Sequence, residues 1–197
     1  MCTKDAGRAP VGERVRRTNR VRGRNLNVIV AISADFGVIL HSASQETLNR
    51  ERYQHFINEL VRTAAPMFHN DDEVHIIQDG ARPHLRITVE AEFAAQFDIQ
   101  TLPPYSPFLN PVEQAHSCFK AAVGRQLSLP ANQEEHISTV NNLRQVEGIN
   151  LEQWRARILL RLTNEAMREV TPVKCLNWCN RVHRYIPPSL AGLDILG

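Results

Sequence analysis

Long apolar runs are absent from this 197-residue chain. None approaches the ~20 residues that a membrane span needs. The first ten residues, MCTKDAGRAP, hold no apolar segment, so they do not read as a secretory signal. Cysteine is scarce: the four are Cys2, Cys118, Cys175 and Cys179, unevenly placed. That argues for a reducing compartment rather than a disulfide scaffold. No internal repeat and no low-complexity tract is found. Acid is nearly lacking from residues 8–24, RAPVGERVRRTNRVRGR, where Glu13 stands alone against seven arginines.

That lopsidedness is the first positive signal. The net charge of the chain is only +2, yet one short block concentrates Arg14, Arg16, Arg17, Arg20, Arg22 and Arg24. Such a block sits in solvent and often meets phosphate. The planar guanidinium forks suit phosphate oxygens. A solvated arm or a guard on a strand edge is the plainer reading. The remaining composition, 43% hydrophobic, suffices for a real core.

Residues 27–44, NVIVAISADFGVILHSAS, read as a hairpin. Two β-branched runs flank a turn supplied by Asp35 and Gly37. Asn49 caps a helix over about 50–68, with Tyr53, Phe56, Ile57, Leu60, Val61 and Ala64 on one apolar face. EVHIIQDG (73–80) is a strand stopping at Asp79-Gly80, and a second amphipathic helix is predicted within about 84–96. FDIQTL (97–102) is another strand. The order β-β-α-β-α-β-α implies a mixed α/β sheet with its later strands parallel. The chain divides into a basic arm (1–26), an α/β core (27–128) and a helical tail (129–197). In the tail, Asn132, Asn150 and Pro172 mark helix starts, and Trp154, Ile158, Leu162 and Ala166 share a face.

The stretch LPPYSPFLNPVE (102–113) carries four prolines and ends on a carboxylate. Proline fixes φ and cannot donate, so this is a stiff connector. Asn110 at N-cap, Pro111 at N1 and Glu113 at N3 start a helix to about Leu127. Glu113 then has two readings. It closes a capping box, or the connector aims it at a metal. Asp79 ends one strand and Glu113 follows the next by a short route. Ligands collect beyond the carboxyl ends of parallel strands. Two carboxylates there can share Mg²⁺ or Mn²⁺. Two such cations can clamp both oxygens of an in-line phosphoryl displacement.

IIQDGARPH (76–84) followed by LPPYSPFLNPVEQ (102–114) resembles the core of the mariner-type DDE transposases. VIVAISADFGVI (28–39) and TLNRERYQHFINEL (47–60) fit the same layout. The resemblance covers about residues 7–127 well and the tail more loosely. It implies an RNase H-like fold, with Asp79 as the second catalytic acid, Glu113 as the third and a two-metal Mg²⁺ or Mn²⁺ site. It implies DNA as partner, with dimers common in the family. It implies no membrane and no small-molecule cofactor, and a nuclear place in a eukaryote or a cytoplasmic one otherwise. His84, five positions after Asp79, takes a site-edge role, with a capping or surface histidine as the plainer reading. Lys120 falls near the Glu113 face and reaches DNA or simply solvent.

The family's first acid sits on the central strand, ahead of the arginine-rich link. GRAPVGERVR matches that link, and only MCTKDA precedes it. Asp5 is too near the link, Asp35 belongs to a turn, and Asp71-Asp72 sit at the wrong end of their strand. The expectation is therefore a sheet without its central strand and a site with two acids. The facing strands would close up or stay apart as open edges. Catalysis would be impaired, and a non-catalytic DNA- or protein-binding remnant is the alternative. A different RNase H-like nuclease fits the proline motif poorly. The family's DNA-reading helix-turn-helix has no counterpart, which leaves salt-sensitive, non-specific binding. Cys175, Cys179 and His183 share a helix face but span ~12 Å, too far for one zinc ion.

Overall fold

The computed structural model describes residues 26–137, 148 and 150–187. The arginines at 14, 16, 17, 20, 22 and 24 lie outside the described residues, as does Asp5.

The hairpin forms where its turn chemistry puts it. β1 (Asn27–Ser33) pairs antiparallel with β2 (Gly37–Ser44). Gly37 holds φ +77 at the turn, and a Cβ there would meet the Pro172 ring at about 3.0 Å. Both faces of the hairpin are apolar and both are covered. Ile29 and Ala31 pack towards α1 (Arg50–Ala64). Val28, Val30 and Ile32 pack on the other side, against α2 (Val112–Ser128), α4 (Leu151–Met167) and α5 (Pro172–His183). The hairpin is thus the middle layer between helices.

α1 begins at the predicted cap, where Asn49 Oδ1 accepts from the Arg52 amide. It ends earlier than the apolar spacing suggests, at Ala64, because Pro66 turns the chain into a 3-10 turn over Ala65–Met67. β3 (Val74–Gln78) and β4 (Phe97–Thr101) pair in parallel, Ile76 opposite Ile99. Their parallel pairing agrees with the sequence reading.

The helix predicted within 84–96 does not form. Pro83 and the β-branched run Ile87-Thr88-Val89 disfavour it. A 3-10 turn covers Arg82–His84, Arg86 takes φ 61, and turns follow to Gln96. The Gln54 side chain instead handles the loop's backbone, accepting from Thr88 N–H at 3.1 Å and donating to Thr88 O at 2.7 Å. Ile87, Val89 and Phe93 still pack against the α1 cluster.

α3 (Pro130–Ile137) starts two residues before Asn132. Asn132 is no cap; its amide donates to Gln126 O at 2.7 Å. Asn150 and Gln153 do form the reciprocal capping box. Trp154, Ile158, Leu162 and Ala166 are all buried, as their spacing implies.

The described residues form a mixed α/β domain with five helices, consistent with an RNase H-like fold. The single mixed sheet predicted from the element order is not formed. Two two-stranded sheets stand instead, β1-β2 and β3-β4, and no backbone hydrogen bond joins β1 to β3. The facing strands have stayed apart. Between them lies a cavity of about 270 Å³, walled by Ile29–Ser33 and Val74–Ile77 and floored by α1.

Candidate active site

Asp79 follows β3 directly, and Glu113 occupies the first turn of α2. The parallel pairing of β3 with β4 brings both strand ends to one side of the molecule. Asp79 and Glu113 there line one cavity of about 180 Å³, with His84, His116, Asn110 and Tyr53.

The start of α2 settles where the Glu113 side chain does not go. Asn110 donates its amide to Pro107 O at 3.1 Å, so no capping box closes on it. Asn110 Oδ1 accepts from the Val112 amide at 3.1 Å, and Asn110 O from the Glu113 amide at 3.2 Å. The helix starts one residue later than predicted, at Val112 with Pro111 rather than Asn110 at its N-cap, because Asn110 bonds two residues on, as asparagine does at turns. The Glu113 carboxylate has no hydrogen bond or ion pair among the described residues. It is exposed, at a helix N-terminus whose partial positive charge favours an anion.

Asp79 is held more closely. Its Oδ1 accepts from the Ala81 amide at 3.1 Å and lies 2.5 Å from His84 Nδ1. His84 in turn stacks on Tyr53, ring centroids 3.9 Å apart. Gln78 donates to His84 O at 2.8 Å, tying the turn to the end of β3. Burial, and then the Asp79 charge, raise the Tyr53 hydroxyl above its ordinary range. An aromatic floor, a histidine and a carboxylate thus form one connected stack.

His116 was not singled out from the sequence. It lies one turn after Glu113, and the Glu-x-x-His spacing was the available signal. Burial lowers its pKa, as does the neighbouring Lys120, while Glu113 and Asp79 pull the other way. Lys120 itself is exposed, on the same helix. Asp35 stays in its turn, and Asp72 accepts from the His69 amide at 2.9 Å, away from the site. Burial pushes the Cys175 thiol up to about 11, and Cys179 is raised for the same reason. With His183 they form no metal cluster among the described residues.

The donors suit one divalent cation better than two. Two carboxylates with vacant oxygens are an ordinary protein contribution to Mg²⁺, the remainder being water and substrate phosphate. Yet no three His, Cys, Asp or Glu side chains converge on one point among the described residues. The two-cation site implied by resemblance lacks donors there.

An α/β domain with Asp79 and Glu113 lining one cavity near parallel strand ends is compatible with a metal-dependent nuclease. The family comparison makes this specific. Residues 2–135 match the model of the DDE superfamily endonucleases, and the chain belongs to that family. No curated protein and no solved structure matches the chain. Transposase-like ancestry and divalent-metal use follow from the family, as does DNA as its substrate class. No helix among the described residues is long and apolar enough to cross a membrane.

Proposed function

We propose that this protein is a mariner-type transposase homologue that retains DNA and divalent-cation binding, with DNA cleavage lost or very weak. The carrying observation is the cavity holding Asp79 and Glu113 and no third carboxylate among its lining residues. Asp79 and Glu113 would hold the cation, and His84 orients Asp79 while Tyr53 supports His84. A bound cation would polarise a DNA phosphate and lower the pKa of a bound water. The arginine block binds the phosphate backbone without reading sequence. Its place of work is the nucleus in a eukaryote and the cytoplasm otherwise.

The test is a nicking assay on supercoiled DNA with Mn²⁺, alongside a binding titration. Nicking at or near background is expected. Mn²⁺ should raise the melting temperature of the parent but not of Asp79→Asn or Glu113→Gln. DNA binding should survive both substitutions. Six phosphate contacts would make log K fall against log salt with a slope of about −5. Nicking that vanishes in both variants would restore the full enzyme reading. Binding unchanged after neutralising Arg14, Arg16, Arg17 and Arg20 would remove the arm from the account.

A further inference from the structure

Tyr105 is 98% exposed, the most exposed large hydrophobic side chain among the described residues. Its backbone holds φ 61 in the turn after Pro104. A turn position of positive φ favours glycine or asparagine, and a tyrosine there is strained. Turn chemistry alone would therefore not choose this residue. Pro103, Pro104 and Pro107 stiffen the backbone around it. The outcome is an aromatic ring held out in solvent by a rigid support, open to a planar ligand.

A second feature stands beside the same connector. Asn177, Asn180, Arg181 and Arg184 follow at i, i+3, i+4 and i+7, so they form one stripe along α5 and its C-cap. All four are exposed, and they line one cleft. Neither arginine has an ion pair among the described residues. No acid occurs between Glu169 and Asp194 to offset them. Cations in a last helical turn answer the helix dipole, which accounts for Arg181. That leaves Asn177, a turn further back, and the lack of any acid unexplained. The stripe is joined to the connector by Tyr185, whose ring meets Phe108 edge-on at 5.9 Å between centroids. Tyr105 is three residues from Phe108, so their Cα atoms are at most about 11 Å apart.

An aromatic platform beside a row of guanidinium and amide donors is the pairing that holds unpaired nucleic acid. We propose that a single-stranded polynucleotide binds across this surface. One base stacks on Tyr105, the phosphates lie on Arg181 and Arg184, and Asn177 and Asn180 supply further donors. A duplex would meet the arginines but keeps its base faces stacked inside, away from Tyr105. An acidic peptide would likewise leave the ring unused. The inference takes only the class of polymer from the DNA-binding reading above. It needs neither the carboxylates nor a cation.

Fluorescence anisotropy on the full chain tests it, in EDTA, with a labelled oligothymidylate and a duplex of the same length. Tyr105→Ala should bind the single strand about 5- to 150-fold more weakly, the range that loss of one stacked base gives. Duplex binding should stay unchanged, and Tyr105→Phe should restore single-strand affinity. Tyr105→Gly suits the positive φ, so its melting temperature should match or exceed the parent's while single-strand binding falls as in alanine. Neutralising Arg181 and Arg184 together should flatten the slope of log K against log salt by about 1.4 on the single strand. With Arg14, Arg16, Arg17 and Arg20 neutralised, Tyr105→Ala should still weaken single-strand binding, so this proposal and the arm reading fail separately. Unchanged single-strand binding in Tyr105→Ala overturns the proposal, as does an equal loss on the duplex. A labelled polyglutamate that binds as tightly, and loses as much in Tyr105→Ala, would also overturn it.

Discussion

Asn110→Ala tests whether the connector places Glu113 through a single side chain. Asn110 is 9% exposed, and its Oδ1 accepts from the Val112 amide at 3.1 Å. Alanine leaves the backbone bonds to Pro107 and Glu113 in place and removes only this acceptor. Losing such an end bond costs about 1 kcal/mol. For a chain of this length, that lowers the melting temperature by about 2–4 °C. Asn110→Ser retains a hydroxyl acceptor and should recover most of the loss. The first turn of α2 also carries Glu113, so a loosened start should weaken Mn²⁺ binding, by at most the roughly fivefold that 1 kcal/mol allows. Calorimetry on the two variants, with and without Mn²⁺, is the assay. An unchanged melting temperature in the alanine variant would refute the idea that Asn110 anchors this turn. A loss equal in alanine and serine would show that packing, not the hydrogen bond, is what matters.

Leu162 is 0% exposed within the Trp154–Ile158 cluster, so Leu162→Ala should cost about 2–5 kcal/mol, read as a lower urea midpoint. His116 has its pKa lowered from 6.5 by burial, then by Lys120. The unfolded chain therefore takes up a proton that the folded one resists, and stability should fall as pH drops below about 6.5. His116→Gln should flatten that part of a urea-midpoint profile. The Cys175 thiol, pushed up to about 11 and buried, should resist iodoacetamide at pH 8 until the chain is unfolded. Rapid native labelling of Cys175, located by mass spectrometry, would contradict its placement.

The division between what the sequence disclosed and what it concealed follows the range of the interactions. Asn49, the Asn150–Gln153 box and the Asp35–Gly37 turn are local devices, and each acts where its spacing indicates. The places of Asp79 after a strand and Glu113 in a helix's first turn were legible because each is fixed by its neighbours within a few residues. The segment 84–96 was misread because its apolar spacing was weighed above the local warning of Pro83 and Ile87-Thr88-Val89, while the Gln54 side chain on α1 that bonds Thr88 at both backbone groups could not be seen from spacing. Asn132 looked like a cap only in isolation; Gln126 had already claimed its amide. His116 and Tyr53 each read as ordinary helix residues, and only folding turns them to the carboxylates. Strand neighbours are the extreme case. Alternation in Val28–Ile32 reports two buried faces, and it carries no information on which strand lies beyond the edge. The separation of β1 from β3 was therefore an open alternative in the sequence, resolved only by a structure in which the two edges face a cavity.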